Sequence, residues 1–339
     1  YLTITRTLYD MLTLSSIAEK NIADIIRLAI KHPTASSALI VHDLRSPLSR
    51  LITSAYQAAL PDAELLDFDT TTPDAVLARF ASLAPRDLVV LVQSSNFRLN
   101  EFRLRIELFK LQLAVIEHVH LERITDESQF PAYIDALAYD QNYYHEQGHA
   151  LKQKIDNAER ITVTCAGTIL TYDGGMEPAK LNIGDYTAMK NIGGTFPIGE
   201  VFSEPKDLSQ VNGEAMIFAF ANPQHIVHIN TPFKIYIKNG IVTESDGPQE
   251  FQSLLAQIRA EEEVLVREFG IGLNPAMGKH RLVSDITAFE RQRGLHLSLG
   301  EKHGVYKKDG LPQKKTRYHI DVFVDFEKIT ADGIVIFKS

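Results

Sequence analysis

The first half of the chain takes its fold from residues 37–52, which read Ser-Ala-Leu-Ile-Val-His-Asp-Leu-Arg-Ser-Pro-Leu-Ser-Arg-Leu-Ile. The apolar run at residues 38–41 has the length and composition of a buried strand. Apolar side chains then recur at helical spacing over residues 46–60, which predicts a helix directly after that strand. Because parallel strands are joined through helices, this order predicts the beginning of a parallel sheet.

The same alternation of strand and helix patterns extends on both sides of this segment. Further strands are predicted at residues 64–68, 88–92 and 113–117, and further helices at residues 15–30, 72–83 and 98–110. We therefore expect residues 1–158 to form an α/β domain, Rossmann-like in layout, with a mostly parallel sheet covered on both faces. No glycine-rich dinucleotide motif or phosphate loop occurs in it, so no nucleotide is assigned to this domain.

The second half has a different periodicity. A long helix predicted at residues 131–158 leads into strand-like segments that flank Asn-Gly at 239–240 and Asp-Gly at 332–333. Such dipeptides between alternating segments predict β-hairpins. With one more long helix predicted at residues 248–268, residues 159–339 are expected to form a strand-rich α+β domain that carries the metal site.

Composition limits the classes of function. The chain has 339 residues, 45% of them hydrophobic and 23% charged, as expected for about two folded domains. The net charge of −8 provides no general attraction for nucleic acid, so no nucleic-acid partner is expected. A single cysteine fits a reducing compartment, and no apolar run approaches the roughly 18 residues of a membrane span. The sequence also begins without a signal-peptide pattern. We therefore expect a cytoplasmic protein with no membrane partner.

Candidate metal ligands cluster in the second half, beside glycines and at predicted strand ends. They are Glu200, Glu268, His296, His319 and Asp321. On a strand, residues two apart point to the same face, so His319 and Asp321 are predicted to reach one centre together. Three carboxylates and two imidazoles suit zinc, cobalt or manganese, and bridging carboxylates would let them hold two ions.

At these residues the chain resembles the thermophilic aminopeptidase family of metallopeptidases, which includes aminopeptidases T and S. The family carries a Gly-Glu-Val-Phe glutamate, a second glutamate after a long helix, a His-x-x-Leu-Gly segment and a closing His-x-Asp. The resemblance covers most of the chain and is strongest over residues 191–321. It implies a homodimer that binds two divalent ions and hydrolyses N-terminal peptide bonds of a peptide substrate. The ligands it implies are Glu200, Glu268, His296, His319 and Asp321.

One catalytic position departs from the family pattern. The family places a tyrosine seven residues after its first histidine ligand, whereas this chain has His303 there. His303 or Tyr306 is therefore the candidate substitute for that phenol. Glu200 is the carboxylate that we expect to transfer protons if it is not fully occupied as a ligand.

Two alternative functions fit the same fold. A ring-cleaving 2,5-dihydroxypyridine dioxygenase resembles this family and binds one ferrous ion, with a histidine in place of the second glutamate and without the Gly-Glu-Val-Phe glutamate. This chain keeps Glu200 and Glu268, which favours the hydrolase. A non-catalytic metal-binding relative is the third alternative, since sites vary on a shared fold.

A separate motif, His-Glu-Gln-Gly-His at residues 145–149, matches the H-E-x-x-H pattern of zinc peptidases. Histidines four apart share one helix face, so a metal site there is chemically sound. No further ligand pattern follows, and the motif lies outside the resembling region. The interpretation that we favour is a solvated helix face, or surface histidines that bind metal adventitiously.

Overall fold

The structure is a computed structural model that describes residues 2–99, 102–300, 306 and 318–339. Its helices are α1 (Leu2–Asp24, continued by a π-helical turn at Ile25–Ile30), α2 (Pro47–Ala59), α3 (Pro73–Ala81), α4 (Leu104–Lys110), α5 (Phe130–Ala136), α6 (Gln141–Asn157), α7 (Gln249–Arg259) and α8 (Ile286–Phe289). Short 3₁₀ turns lie at Leu121–Arg123, Glu127–Gln129 and Leu208–Gln210.

The strands fall into an early and a late group. The early strands are β1 (Ala38–His42), β2 (Glu64–Asp67), β3 (Leu88–Val92), β4 (Arg98–Leu99), β5 (Phe102–Arg103) and β6 (Ala114–His118). The late strands are β7 (Arg160–Cys165), β8 (Thr168–Asp173), β9 (Lys180–Asn182), β10 (Gly193–Thr195), β11 (Glu200–Ser203), β12 (Val211–Ala221), β13 (Val227–Lys238), β14 (Ile241–Ser245), β15 (Val266–Gly272), β16 (Gly294–Gly300), β17 (His319–Val324), β18 (Phe326–Ala331) and β19 (Ile334–Lys338). The fold is mixed α/β and α+β, as predicted.

The chain divides into two compact units, and each unit is assembled from more than one segment. The first comprises residues 1–145, 184–198 and 281–288, and the second comprises the remainder. A single sequence boundary near residue 158 does not describe this arrangement, because two later segments return to the first unit.

The first unit contains a parallel sheet in the strand order β10-β6-β3-β1-β2. The four strands predicted there from the sequence are present. Helix α2 begins where the sequence places it, because the Ser46 side chain accepts a hydrogen bond from the Ser49 backbone amide and Pro47 occupies the first turn. Leu39, Val41 and their apolar neighbours on adjacent strands form a buried core against α3 and α4.

A polar group interrupts the core of this first unit. His118, at the end of β6, is fully buried. Its Nε2 atom lies 2.8 Å from the Tyr56 hydroxyl and its Nδ1 atom lies 2.9 Å from the Tyr133 hydroxyl. Burial lowers the pKa of His118 to about 3, so the imidazole is neutral near pH 7 and donates one hydrogen bond while accepting the other.

The second unit is built on a large antiparallel sheet. Its strand order over the described residues is β19-β18-β7-β8-β12-β17-β16-β15-β11-β9, with β13 and β14 continuing from β12. The two predicted hairpins are present, since β13 and β14 join at residues 239–240 and β18 and β19 join at residues 332–333. The aromatic rings of Phe220, Phe233 and Phe251 pack together where α7 meets the sheet.

Three helices are predicted longer than the structure has them, whereas α1 begins at Leu2, earlier than the helix predicted at residues 15–30. The helix expected at residues 248–268 ends at Arg259, where the backbone amides of Glu261 and Glu262 turn back to the Ile258 carbonyl. The chain then enters β15, so residues 266–272 form a strand, and the last residues of the predicted helix belong to it. Pairing with strands that are distant in the sequence determines the strand conformation of this segment, and local sequence patterns do not contain that information.

The other two helices were predicted too long. The helix expected at residues 131–158 is divided into α5 and α6. At the start of α6, the Asp140 carboxylate accepts a hydrogen bond from the Tyr143 backbone amide. The helix expected at residues 98–110 begins only at Leu104, after the short β4–β5 pair. Local capping and pairing therefore shorten both helical patterns.

Crossing a membrane requires a combination of length and hydrophobicity that no helix in the described segments has.

Candidate metal centre

Four neighbouring strands of the second unit bring the predicted ligands together. Strands β11, β15, β16 and β17 are adjacent in the sheet, and each contributes at least one of these side chains. The ligand candidates on them are Glu200 on β11, Glu268 on β15, His296 on β16, and His319 and Asp321 on β17. Paired residues on neighbouring strands share a face, and the register places this set on one face of the sheet.

His296 lies at the centre of the group. Its Nε2 atom is 3.3 Å from Glu200 Oε1 and 3.4 Å from Glu268 Oε1. All three side chains are buried, with at most 5% of any side chain exposed. One imidazole nitrogen is thus directed at two carboxylates that water does not reach freely.

His319 and Asp321 form the neighbouring part of the group. His319 Nε2 lies 3.3 Å from Asp321 Oδ1, and the same carboxylate oxygen accepts a hydrogen bond from the Ser298 hydroxyl. Asp321 is buried, whereas 37% of the His319 side chain is exposed. His319 therefore lies on the side of the group that solvent reaches, and the predicted same-face relationship of these two residues is present.

Two glycines on β15 make room for this arrangement. A Cβ atom on Gly270 would lie 2.2 Å from both Cε1 and Nε2 of His296. A Cβ atom on Gly272 would lie 2.0 Å from the Gln292 carbonyl oxygen and 2.8 Å from the Arg291 carbonyl oxygen. The absence of side chains at these positions lets the imidazole and the segment around Arg291 lie against the sheet.

Glu290 and Arg291 also belong to the site, although the sequence analysis did not include them. The ligand atoms of Glu200, Glu268, Glu290 and His296 all lie within 4.8 Å of one another. Arg291 Nη1 lies 2.8 Å from Glu200 Oε2 and 3.0 Å from Glu290 Oε1. In the sequence, Glu290 and Arg291 stand out only by lying a few residues before His296. No periodic pattern there distinguishes them as site residues.

Burial and neighbouring charges shift the pKa values of several side chains in this group. Burial opposes the charged form of Glu200, yet the Arg291 guanidinium and His296 hold the Glu200 pKa below its ordinary value. Burial raises the pKa of Glu290 to about 8. The Asp321 carboxylate raises the pKa of His319 to about 10. Strong mutual perturbation of this kind is typical of functional sites.

The donor set fits a divalent metal ion. Carboxylate oxygens and imidazole nitrogens are the ligands of zinc and manganese sites. Glu268 Oε2 and His296 Nδ1 are buried and have no hydrogen-bond partner among the described residues. Buried polar atoms without partners require an explanation, and a bound cation beside Glu268 provides one for its carboxylate.

His303 and Tyr306 are the other two predicted catalytic residues. His303 lies outside the described residues. The Tyr306 hydroxyl lies 3.0 Å from the Pro178 carbonyl oxygen and 3.3 Å from the Phe202 carbonyl oxygen. Burial raises the pKa of Tyr306 above its ordinary value. Its role as the substitute phenol stays a prediction.

The second motif, at residues 145–149, lies on α6 as the sequence predicts. The His145 Nε2 atom is 3.1 Å from the Tyr139 hydroxyl. Within the described ranges, the group of side chains at ligand distance consists of Glu200, Glu268, Glu290 and His296 and includes neither His145 nor His149. The geometry therefore favours the site on the antiparallel sheet.

No protein-family model matches the sequence, and no curated protein matches it either. The chain is similar to the structure of 2,5-dihydroxypyridine dioxygenase from Pseudomonas putida KT2440, with a TM-score of 0.64 and 16% identity over 97% of this chain and 96% of that one. It is also similar to wild-type AmpT, aminopeptidase T, from Thermus thermophilus, with a TM-score of 0.57 and 13% identity over 93% and 94% of the two chains. The chain thus shares the fold of these two proteins.

Proposed function

We propose that this protein is a metal-dependent hydrolase that removes residues from the N-terminus of peptides. The observation that carries the proposal is the buried group of Glu200, Glu268, Glu290 and His296, whose ligand atoms lie within 4.8 Å of one another. A carboxylate-rich site of this kind suits the Lewis-acid ions of hydrolases. The fold shared with aminopeptidase T supports the same reaction class.

The five ligand candidates named from the sequence divide into two roles in this proposal. Glu268, His296, His319 and Asp321 would hold the ion, with Asp321 oriented by the Ser298 hydroxyl. When bound, a divalent ion lowers the pKa of a water molecule and polarises a carbonyl group. Glu200 Oε2 faces Arg291, so Oε1 is the atom that would accept the proton of the attacking water.

The acidic character of the group supports selection of a peptide N-terminus. Four carboxyl groups, those of Glu200, Glu268, Glu290 and Asp321, face the single guanidinium of Arg291 in the described part of the site. A carboxylate of this group that the ion does not engage can pair with the cationic end of a substrate. The α-ammonium group of a peptide has that charge and lies next to the first peptide bond.

A ring-cleaving dioxygenase is the second candidate, and one feature favours it. His296, His319 and Asp321 provide two imidazoles and one carboxylate, which is the ligand set of many mononuclear iron(II) oxygenases. The fold shared with the dihydroxypyridine dioxygenase agrees with this candidate. The additional carboxylates of Glu200 and Glu268 favour the hydrolase over it.

The test uses protein purified without a histidine tag and loaded separately with Zn²⁺, Mn²⁺, Co²⁺ or Fe²⁺. Release of p-nitroaniline from amino-acid anilides is measured without oxygen, and oxygen consumption is measured with 2,5-dihydroxypyridine. We expect anilide hydrolysis with at least one of the first three ions. Oxygen consumption with Fe²⁺ and no hydrolysis would replace the hydrolase with the dioxygenase.

His319→Ala is the matching variant, because this partly exposed ligand candidate can be removed without opening a buried cavity. We expect it to lose metal binding and hydrolysis. His228→Ala removes an exposed histidine of β13 that hydrogen-bonds Asn222, and it should retain both properties. Full activity of His319→Ala would remove His319 from the site.

A further inference from the structure

A buried guanidinium lies inside the acidic group. Only 10% of the Arg291 side chain is exposed, and its Nη1 atom contacts both Glu200 and Glu290. Arginine keeps its positive charge throughout the accessible pH range. We propose that Arg291 is a built-in cation that takes the place of a second metal ion, so that the site binds one divalent ion per chain. This inference rests on the proposed metal-dependent function.

The two oxygens of Glu200 carry the first part of the argument. Oε2 lies 2.8 Å from Arg291 Nη1, and Oε1 lies 3.3 Å from His296 Nε2. A carboxylate that bridges two ions needs one oxygen for each of them. The guanidinium occupies one side of Glu200, so this carboxylate is available to an ion only on the His296 side.

The backbone holds Arg291 in that position. The Asn274 amide donates a 2.9 Å hydrogen bond to the Arg291 carbonyl, and the Gln292 amide donates a 2.8 Å hydrogen bond to the Phe289 carbonyl. Gly272 has no side chain where the Arg291 carbonyl lies against β15. These contacts fix the backbone of residue 291, and the carboxyl groups of Glu200 and Glu290 then hold the guanidinium.

Electrostatic repulsion completes the argument. A divalent ion placed between Glu200 and Glu290 would lie against the guanidinium in a poorly solvated site, where like charges repel strongly. An ion beside Glu268 and His296 avoids that contact, and it also neutralises the carboxylates that Arg291 does not reach. One divalent ion and the guanidinium carry three positive charges against the four carboxyl groups, whereas two ions and the guanidinium would carry five and leave a buried excess of positive charge.

The experiment is metal stoichiometry. Chelator-treated, untagged protein is equilibrated with Zn²⁺ or Mn²⁺, freed of excess ion and measured by elemental analysis. We expect one ion per chain in the wild type. Arg291→Gln should bind two, because the space and both carboxylates become available, whereas Arg291→Lys keeps a positive charge and should bind one.

Arg293→Gln is the matched control. Arg293 lies two residues away, but its guanidinium stacks on the Phe337 ring at 5.0 Å, so this variant should bind one ion. Thermal denaturation and circular dichroism confirm that each variant is folded. If Arg291→Gln does not fold, two ions in the wild type or in Arg291→Lys would still overturn the inference.

The outcomes separate the inference from the proposed function. Two ions in the wild type or in Arg291→Lys, or one ion in folded Arg291→Gln, would overturn the role of Arg291 and leave the metal-dependent function in place. No bound ion in any form would overturn the proposed function itself.

Discussion

Gly270 on β15 and His296 on β16 are paired across the sheet, and the imidazole occupies the space that a side chain at position 270 would fill. We expect Gly270→Ala to lower Zn²⁺ affinity by about 10- to 100-fold, the range observed when groups that orient a metal ligand are changed. The physical reason is the 2.2 Å separation between the added Cβ atom and His296 Nε2. Competition with a chromophoric chelator measures the affinity.

Gly278→Ala is the control for this prediction. A Cβ atom there would meet its nearest neighbour, Gln292 Oε1, at 4.0 Å, so the added methyl group needs no rearrangement. Its Zn²⁺ affinity should equal that of the wild type. Equal affinity in Gly270→Ala as well would show that His296 does not bind the ion.

Glu200→Gln separates a proton acceptor from a metal ligand. If Glu200 Oε1 accepts the proton of the attacking water, the amide should lower kcat by about 10²- to 10⁴-fold while the metal content stays unchanged. Glu214→Gln, at an exposed ion pair with Lys234, should change neither quantity. Loss of the ion in Glu200→Gln would instead assign Glu200 as a ligand.

His118 makes the stability of the protein depend on pH. An unfolded histidine binds a proton near pH 6.5, whereas folded His118 stays neutral down to about its pKa of 3. Between these values the unfolded state binds more protons, so the free energy of unfolding decreases as the pH falls below 6.5. The limiting slope from this one group is about 1.4 kcal/mol per pH unit.

Urea denaturation at pH 7.5 and at pH 5.5 tests this prediction. We expect His118→Gln to be less stable than the wild type at pH 7.5 but to lose less stability on acidification, because the titrating group is gone. The exposed His228→Gln should keep the wild-type pH dependence. The same dependence in His118→Gln would assign the acid sensitivity to other groups.

Arg267 and Glu204 form a buried ion pair in the second unit, with a distance of 2.5 Å between Nε and Oε1 and exposures of 5% and 1%. We expect Arg267→Met to lower the free energy of unfolding by about 3–5 kcal/mol, since it leaves a buried carboxylate without this partner. The double variant Arg267→Met, Glu204→Leu should recover most of the loss. Denaturant unfolding measures both.

Lys279→Met is the comparison for this pair. Lys279 pairs with Asp325 at 2.8 Å, but about one third of each side chain is exposed. Partly solvated pairs contribute about 1 kcal/mol or less. A loss in Arg267→Met no larger than the loss in Lys279→Met would contradict the importance of burial at the first pair.

The sequence determined the elements whose formation depends on neighbouring residues. The parallel strands were recognisable as short apolar runs, and both hairpins followed from their turn dipeptides. His319 and Asp321 could be placed on one face because alternation along a strand is a local property. The order of the five candidate ligands was also readable, and the resemblance carried by that order implied one shared site.

Tertiary structure alone decided that Glu268 lies on a strand and that Arg291 lies in the same acidic group. Residues 266–272 became a strand through pairing with β11 and β16, which are distant in sequence. Arg291 entered the acidic group because Gly272 leaves room for its backbone and Asn274 holds it there. Such contacts join segments without a shared periodicity, and their energies depend on packing and burial that no local pattern encodes.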